Sequence, residues 1–406
     1  MTVTRILGFG TYPIEKPVHG GQRRVAAFKR FYEHRGMTYT YACVYDGNHY
    51  RSADIGPYGF RLDTSNCEAA LSNVIGDVMS GRQGVTDPDT FNHFSRVFEE
   101  INPDAVELEQ PFMWPTVKRL WRRTGKYKPL LIYSSQNVEA PLKREILVSE
   151  GFSSKLCDKV CSEIQQIEGE LVGEADLIIC VSEEDREYYK HTLNSSSPII
   201  VVRNGVDRPA TCSPERTPDA LCDFAGRPYL MTVGSGHFPN IEGLRHYVID
   251  DGVFCVPPTP SIAVCGGVAR SIADHPDYHR FLAANSARVR LFSDISDSDL
   301  STIKQICHGV FLPIRNGGGT NLKTAEALAL GKWVVATSTA LRGFESFADS
   351  EGVVVADGRS EFRQAMRHVL QRPALQISES SRAAREDLYW DRCFEGSNLP
   401  KFFDAM

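Results

Sequence analysis

Apolar and polar positions along the 406 residues fall into repeating blocks: a short β-branched or aromatic run, a turn, then an amphipathic stretch at helical spacing. Residues 3–9 predict a first strand. The segment TYPIEKPVHGGQRRVAAFKRFYEHRG then gives a proline-bearing loop, a Gly20-Gly21 turn and a basic amphipathic helix. Residues 38–45 (TYTYACVY) have strand composition, while 46–90 is polar, rich in Gly, Asp and Asn, and reads as an insertion. Strand-like runs recur at 105–108, 130–134 and 176–181, with helical patterns at 90–101 and 143–174. Strands alternating with helices predict a parallel sheet.

Between residues 208 and 228 four prolines interrupt any regular element, which marks a linker between domains. The alternation then restarts. Strands are predicted at 229–234, 261–267, 289–293 and 309–314, with helices near 240–249, 272–286 and 297–306. The chain therefore reads as two doubly wound α/β domains, 1–208 and 209–379. The tail 380–406, with anchors Tyr389, Trp390 and Phe394, is expected to pack back on the first. In such a pair, ligands are expected in a cleft at the carboxyl ends of both sheets.

One block carries recognisable chemistry. GGGTNLKTAEALALGKWVVAT (317–337) predicts a glycine-rich turn, an amphipathic helix, a glycine cap at Gly331 and a buried strand. Glycines let backbone N–H groups approach a phosphate, and the helix N-terminus adds positive potential, a combination suited to a diphosphate. Glu326 lies about 6 Å along the helix axis from that cradle, within reach of ribose hydroxyls.

Composition narrows the classes. Apolar residues make up 42% and charged residues 24%, as in ordinary globular proteins, and a net charge of −6 argues against a general nucleic-acid binder. Eleven cysteines without CxxC pairs suggest reduced thiols in a cytoplasm and no metal site, Cys157 and Cys161 included. No apolar run approaches the length needed to cross a bilayer. Gly8-Phe9-Gly10 is not a dinucleotide fingerprint, because Pro13 occupies the third glycine position.

Several segments, in order, resemble the retaining GT-B glycosyltransferases of the large family four. They are Gly20-Gly21 before a helix, SSQNVE (134–139), VSEEDREYY (181–189), VVRNGVD (201–207), VGSGHFPNIEGLRHYV (233–248), the GGGT…EALALGK block and LYWDRCF (388–394). The GGGT form is similar to a subgroup of that family. The resemblance implies a second domain that binds a nucleoside-diphosphate sugar, a first domain that supplies the acceptor side, and transfer with retention. Glu326 would hold the ribose. Gly319, Thr320, Asn321 and Leu322 would present amides to the diphosphate, and Gly20, Gly21 and Gly234 would approach it.

Three positions depart from the family pattern. Gly318 stands where relatives commonly have a second glutamate. Ser235 and Asn240 stand where they often have an arginine and a lysine, leaving Arg315 and Lys323 as the nearest cations for the phosphates. Glu109 or Glu107 replaces a histidine after the fourth strand, as Gln136 does before Asn137. Glu109 is then the candidate for orienting the acceptor and His237 for bonding phosphate or sugar, with the leaving diphosphate itself taking the acceptor proton. No cofactor or metal is expected, since no Asp-x-Asp pair lies near these motifs.

Acceptors in the family are often lipid-linked glycans. The segment 111–128 interleaves Trp114 and Trp121 with six cations, so it would either lie on the inner membrane leaflet or turn its tryptophans into the core. A nucleotide-sugar 2-epimerase or a catalytically silent relative shares the architecture. The latter is kept open by Gly318, Ser235 and Asn240.

Overall fold

The computed structural model describes residues 3–65, 69–124, 128–208, 219–224, 226–316 and 320–406. Contacts divide the chain into two compact units, Met1–Arg203 with Cys393–Met406, and Asn204–Arg392.

The first unit runs β1 (Arg5–Gly10), α1 (Gly20–His34), β2 (Thr38–Tyr45), β3 (Gly59–Arg61), α2 (Ala69–Thr86), α3 (Pro88–Ile101), β4 (Ala105–Leu108), α4 (Trp114–Thr124), β5 (Leu130–Ser134), α5 (Glu139–Ser149), α6 (Ser154–Glu174), β6 (Leu177–Cys180), α7 (Glu183–Glu187) and β7 (Ile199–Val201). Its seven strands lie parallel in the order β3-β2-β1-β4-β5-β6-β7. Short strands such as Leu177–Cys180 are buried at every position, as expected where helices cover both faces of a parallel sheet. The polar stretch 46–90 is not structureless: it supplies edge strand β3 and the eighteen-residue helix α2. The helical pattern over 143–174 is two helices, because the chain turns at Gly151 in the left-handed region (φ 79°) and Ser153 caps a new start by accepting from the Leu156 amide.

Side chains of β1, β2 and β4 sort by face. On one side Leu7, Phe9, Ala42, Val44, Val106 and Leu108 join an apolar cluster that takes in Trp114, with Trp121 packed against it. The tryptophans therefore turn into the core. Lys118 pairs with Glu170 and Lys128 lies over the Trp121 ring, while Arg119, Arg122 and Arg123 stay exposed. On the other side Gly8 pairs with Tyr41 and Glu107. A Cβ at Gly8 or Gly10 would overlap the hydroxyl of Tyr39 or Tyr41, so these glycines make room for tyrosine rings laid across β1. Helix α1 covers this polar layer with Arg24, Phe28 and Tyr32. The tail packs there too, Phe394 meeting the Phe28 ring edge-on at 5.0 Å.

The second unit contains β8 (Leu230–Val233), α8 (Phe238–Leu244), β9 (Ile262–Cys265), α9 (Gly267–Ala273), α10 (Pro276–Arg280), α11 (Leu282–Arg288), β10 (Val289–Phe292), α12 (Asp297–Ile306), β11 (Gly309–Leu312), α13 (Leu322–Ala329), β12 (Trp333–Ala336), β13 (Val353–Val355), α14 (Arg359–Gln371) and α15 (Glu379–Glu386). Helix α16 (Trp390–Glu395) returns the chain to the first unit, which ends in α17 (Leu399–Asp404). Six parallel strands take the order β10-β9-β8-β11-β12-β13. The helix expected over 272–286 is broken into α9, α10 and α11, since Pro276 cannot continue a helix but suits the first turn of the next. The helix expected over 240–249 starts at Phe238 and loosens into a π-helical turn over Arg245–Ile249. Gly331 (φ 63°) ends α13 where the sequence places its cap. Of the linker expected over 208–228, residues 209–218 lie outside the described residues.

Candidate functional site

In each sheet the strand order reverses between two neighbours, β1 and β4 in the first unit and β8 and β11 in the second, and ligands favour the carboxyl ends at such a point. At the second of these points the loop after β8 presents Gly234, exposed Ser235 and exposed His237, which stands at the N-cap of α8. Asn240, in the first turn of α8, donates through Nδ2 to the Ser235 carbonyl (3.0 Å) and hydroxyl (3.2 Å). Its Oδ1 accepts a short hydrogen bond from Lys323 Nζ.

Lys323 thus reaches from α13 across the strand ends into a small cavity with Thr232, Val233, Gly234, Asn240 and Pro313. Burial pushes its ammonium down to about 8. The sequence places no cation at Ser235 or Asn240. The structure brings one there from α13, 83 residues further along the chain than Asn240.

The other candidates fall around this point. Thr320 is buried and accepts from Asn204 Nδ2 at both its carbonyl (3.0 Å) and hydroxyl (2.8 Å). Asn321 is the N-cap of α13, but its side chain makes no capping bond, and Leu322 opens the helix half-buried. Glu326, one turn on, pairs with Lys304 of α12 at 2.6 Å. Arg315, after β11, pairs with Glu242 of α8 at 2.6 Å and is 45% exposed. Gly318 and Gly319 lie outside the described residues. Among the described residues no group of three His, Cys, Asp or Glu side chains converges to hold a metal ion, and no helix is long and apolar enough to cross a membrane.

The carboxyl ends of β1 and β4 look different. Glu109, expected to orient the acceptor, is fully buried and its Oε1 accepts from Tyr39 Oη at 3.1 Å. Burial, then the charge of neighbouring Glu107, pushes its carboxyl well above the usual range. Burial holds Glu107 up to about 7, opposed by the hydroxyl of Tyr32, which donates to it at 2.9 Å. The guanidinium of Arg24, which donates to the Val202 carbonyl at 2.9 Å, sits in the same buried layer. Sequence reasoning missed Arg24; a lone arginine on the inward stripe of α1 was the available signal.

Gly20 and Gly21 form the first turn of α1 rather than a free turn. A Cβ at Gly21 would stand 2.5 Å from Gln136 Oε1 and 2.6 Å from Tyr12 Oη, so the glycine admits the Tyr12–Gln136 hydrogen-bonded pair.

No protein-family model matches the sequence, and no curated protein matches it. Solved structures do. A sucrose-phosphate synthase from Thermosynechococcus elongatus superposes with a TM-score of 0.70 at 14% identity, over 99% of this chain and 100% of that one. HepE of Anabaena in complex with UDP-glucose gives 0.63 at 14% identity, over 99% and 100%. An α,α-trehalose-phosphate synthase (UDP-forming) from Burkholderia vietnamiensis gives 0.57 at 11%, over 100% and 96%. At such identities the likeness establishes the fold, and this chain has the two doubly wound Rossmann-like domains of the GT-B glycosyltransferases.

Proposed function

We propose that this protein transfers a glycosyl group, with retention, from a nucleoside-diphosphate sugar to a glycan or lipid-linked acceptor in surface polysaccharide or glycoconjugate assembly. The observation that carries the reading is Lys323: a half-buried lysine whose ammonium is held by Asn240 at the carboxyl ends of β8 and β11, beside the uncapped first turn of α13. A diphosphate there would meet a cation and helix amides together, which strengthens each hydrogen bond to it. Arg315 is the second cation within reach of that edge. Glu326, already ordered by Lys304, would accept from the ribose.

In the reaction the anomeric C–O bond to the diphosphate breaks with its electron pair passing to the phosphate oxygen. The acceptor oxygen bonds the anomeric carbon on the same face and its proton passes to the departing phosphate. The protein's part is to stabilise the developing negative charge, which Lys323 and the α13 amides would do. His237, exposed at the N-cap of α8, would bond phosphate or sugar. An acceptor carried on an anionic inner leaflet would meet Arg119, Arg122 and Arg123 rather than the tryptophans, and flotation with anionic vesicles tests that contact.

A thermal-shift panel of UDP, GDP, dTDP and ADP with their common sugar conjugates tests the donor reading on wild type and Glu326→Ala. One diphosphate should stabilise the wild type, by about 2.7 kcal/mol at a hundredfold excess over Kd, and the variant less. No shift with any would refute it. Binding without donor hydrolysis or transfer would turn the reading to the silent relative, and an epimerised product to the epimerase.

A further inference from the structure

We propose that Asn204 is a positioning residue for the donor site: its carboxamide fixes Thr320, and with it the point at which the glycine run enters α13. The inference rests on the donor reading above and names a residue that reading does not use.

Asn204 is buried, in the second unit, and its side-chain nitrogen donates to both acceptors of Thr320, the carbonyl at 3.0 Å and the hydroxyl at 2.8 Å. The two residues are 116 apart in sequence, so the contact is tertiary and not a local turn. Thr320 follows Gly317-Gly318-Gly319, the most backbone-permissive run in the chain, and precedes Asn321, the N-cap of α13. Thr320 stands directly before that N-cap, so what holds Thr320 also bears on the placement of the first-turn amides of α13. Thr320 is held twice over. Asn204 takes its polar atoms, and Gly343 (φ 79°) leaves room for its methyl group, which a Cβ at 343 would overlap.

The Asn321 side chain makes no capping bond, so the amides of Leu322 and Lys323 are not claimed from that side. Asn204 touches Thr320 and not those amides, and would act on a ligand through their placement. A shift of an ångström at Thr320 would move both the amides and the Lys323 side chain.

The test is calorimetric titration of UDP, GDP, dTDP and ADP into wild type, Asn204→Ala, Asn204→Asp and Thr320→Val, at a temperature where each is folded. The diphosphate that binds wild type should bind both Asn204 variants about tenfold or more weakly, and Thr320→Val by less, because its carbonyl still accepts. Combining Asn204→Ala with Thr320→Val should cost less than the two losses added, as expected for partners. A purely structural Asn204 would lower the melting temperature and leave Kd of the folded protein unchanged, which overturns the proposal. Should Asn204→Ala fail to fold, an unchanged Kd in the volume-conserving Thr320→Val overturns it equally. Wild type that binds none of the four refutes the donor reading instead, and the role of Asn204 with it.

Discussion

The titration of Lys323 gives the donor site a signature that a neutral or permanently charged pocket lacks. Burial strips water from the Lys323 ammonium and pushes it down to about 8, with Asn240 Oδ1 accepting its hydrogen bond. A bound diphosphate would replace that oxygen with negative charge and raise the pKa, so the binding-competent form is the protonated one. About half of the protein is competent at pH 8 and about nine-tenths at pH 7. The apparent Kd then grows as the inverse of the protonated fraction, about tenfold between pH 7 and pH 9, or about 1.4 kcal/mol. The phosphate's own last ionisation lies near 6 and does not enter that window. The assay is calorimetric titration of the diphosphate that binds wild type, at half-unit steps through the window, beside Lys323→Met. The variant should bind about ten- to a hundredfold more weakly at pH 7, for loss of a charge-assisted hydrogen bond, and with no pH dependence. A wild-type Kd constant within twofold from pH 7 to about 9, or an equal slope in Lys323→Met, would refute the reasoning.

Arg315→Ala should weaken diphosphate binding while shifting the unfolding midpoint little, because the half-exposed pair it makes with Glu242 is of a kind worth about 0–1 kcal/mol; unchanged diphosphate affinity would remove Arg315 from the site. Gly10→Ala should destabilise by about 1–3 kcal/mol through overlap with the Tyr41 hydroxyl, and Tyr41→Phe, which deletes a buried hydroxyl without a hydrogen-bond partner, should cost little alone and recover much of that loss in the double variant. Strictly additive denaturation midpoints would contradict the fit. Burial raises Glu107 and Glu168 to about 7 and Glu139 to about 8, so these groups favour the fold fully below their unfolded value of 4.5 and that contribution is lost as pH rises through 7 and 8. Buried His19, lowered from 6.5 to about 4, acts oppositely only below 6.5, so urea midpoints should fall from about pH 6.5 to 8, less so in Glu139→Gln; a midpoint that rises across that window would contradict the assignment.

The alternation of apolar runs with amphipathic stretches was enough to place most strands, because a parallel sheet buried on both faces writes itself as segments like LIIC and IAVC. Breaks within helices were less legible. Gly151 and Pro276 are visible as letters, yet whether a glycine or proline ends a helix depends on what the next turn packs against. The polar run 46–90 concealed α2 because its inward stripe is small and irregular, with Ser72 and Ser80 among its buried positions. Of the site, the segment around α13 was legible as a motif. The Lys323–Asn240 and Asn204–Thr320 contacts were not, since each joins residues more than eighty apart and neither partner is unusual where it stands. Arg24 and Glu107 were obscured for a different reason: charged residues in a sequence read as surface, and tertiary hydrogen bonds, from Arg24 to the Val202 carbonyl and from Tyr32 to Glu107, are what accompany them inside.

The two switch points differ in a way that decides which could take a diphosphate. At the end of β4, Glu107 and Glu109 lie buried with a single guanidinium, Arg24, so the cluster is neutral only if one carboxyl keeps its proton, and bringing a dianion near it would deepen an already unfavourable charge. Its polar neighbours are also committed, Thr11 to Gln110 at 2.5 Å and Tyr12 to Gln136 at 2.9 Å. At the end of β8 the balance is reversed. Lys323 donates to a neutral oxygen, Asn240 Oδ1, and the hydroxyl of exposed Ser235, which accepts from Asn240, keeps its own proton to donate. Among the described residues, the carboxylates Glu242 and Glu326 at that edge are paired with cations, Arg315 and Lys304. Two sheets of the same winding thus carry opposite electrostatics. On the donor reading proposed above, a nucleoside diphosphate would match the second, and the first would suit a neutral, hydroxyl-bearing partner such as a sugar, whose hydrogen bonds a tyrosine-rich layer can meet without charge.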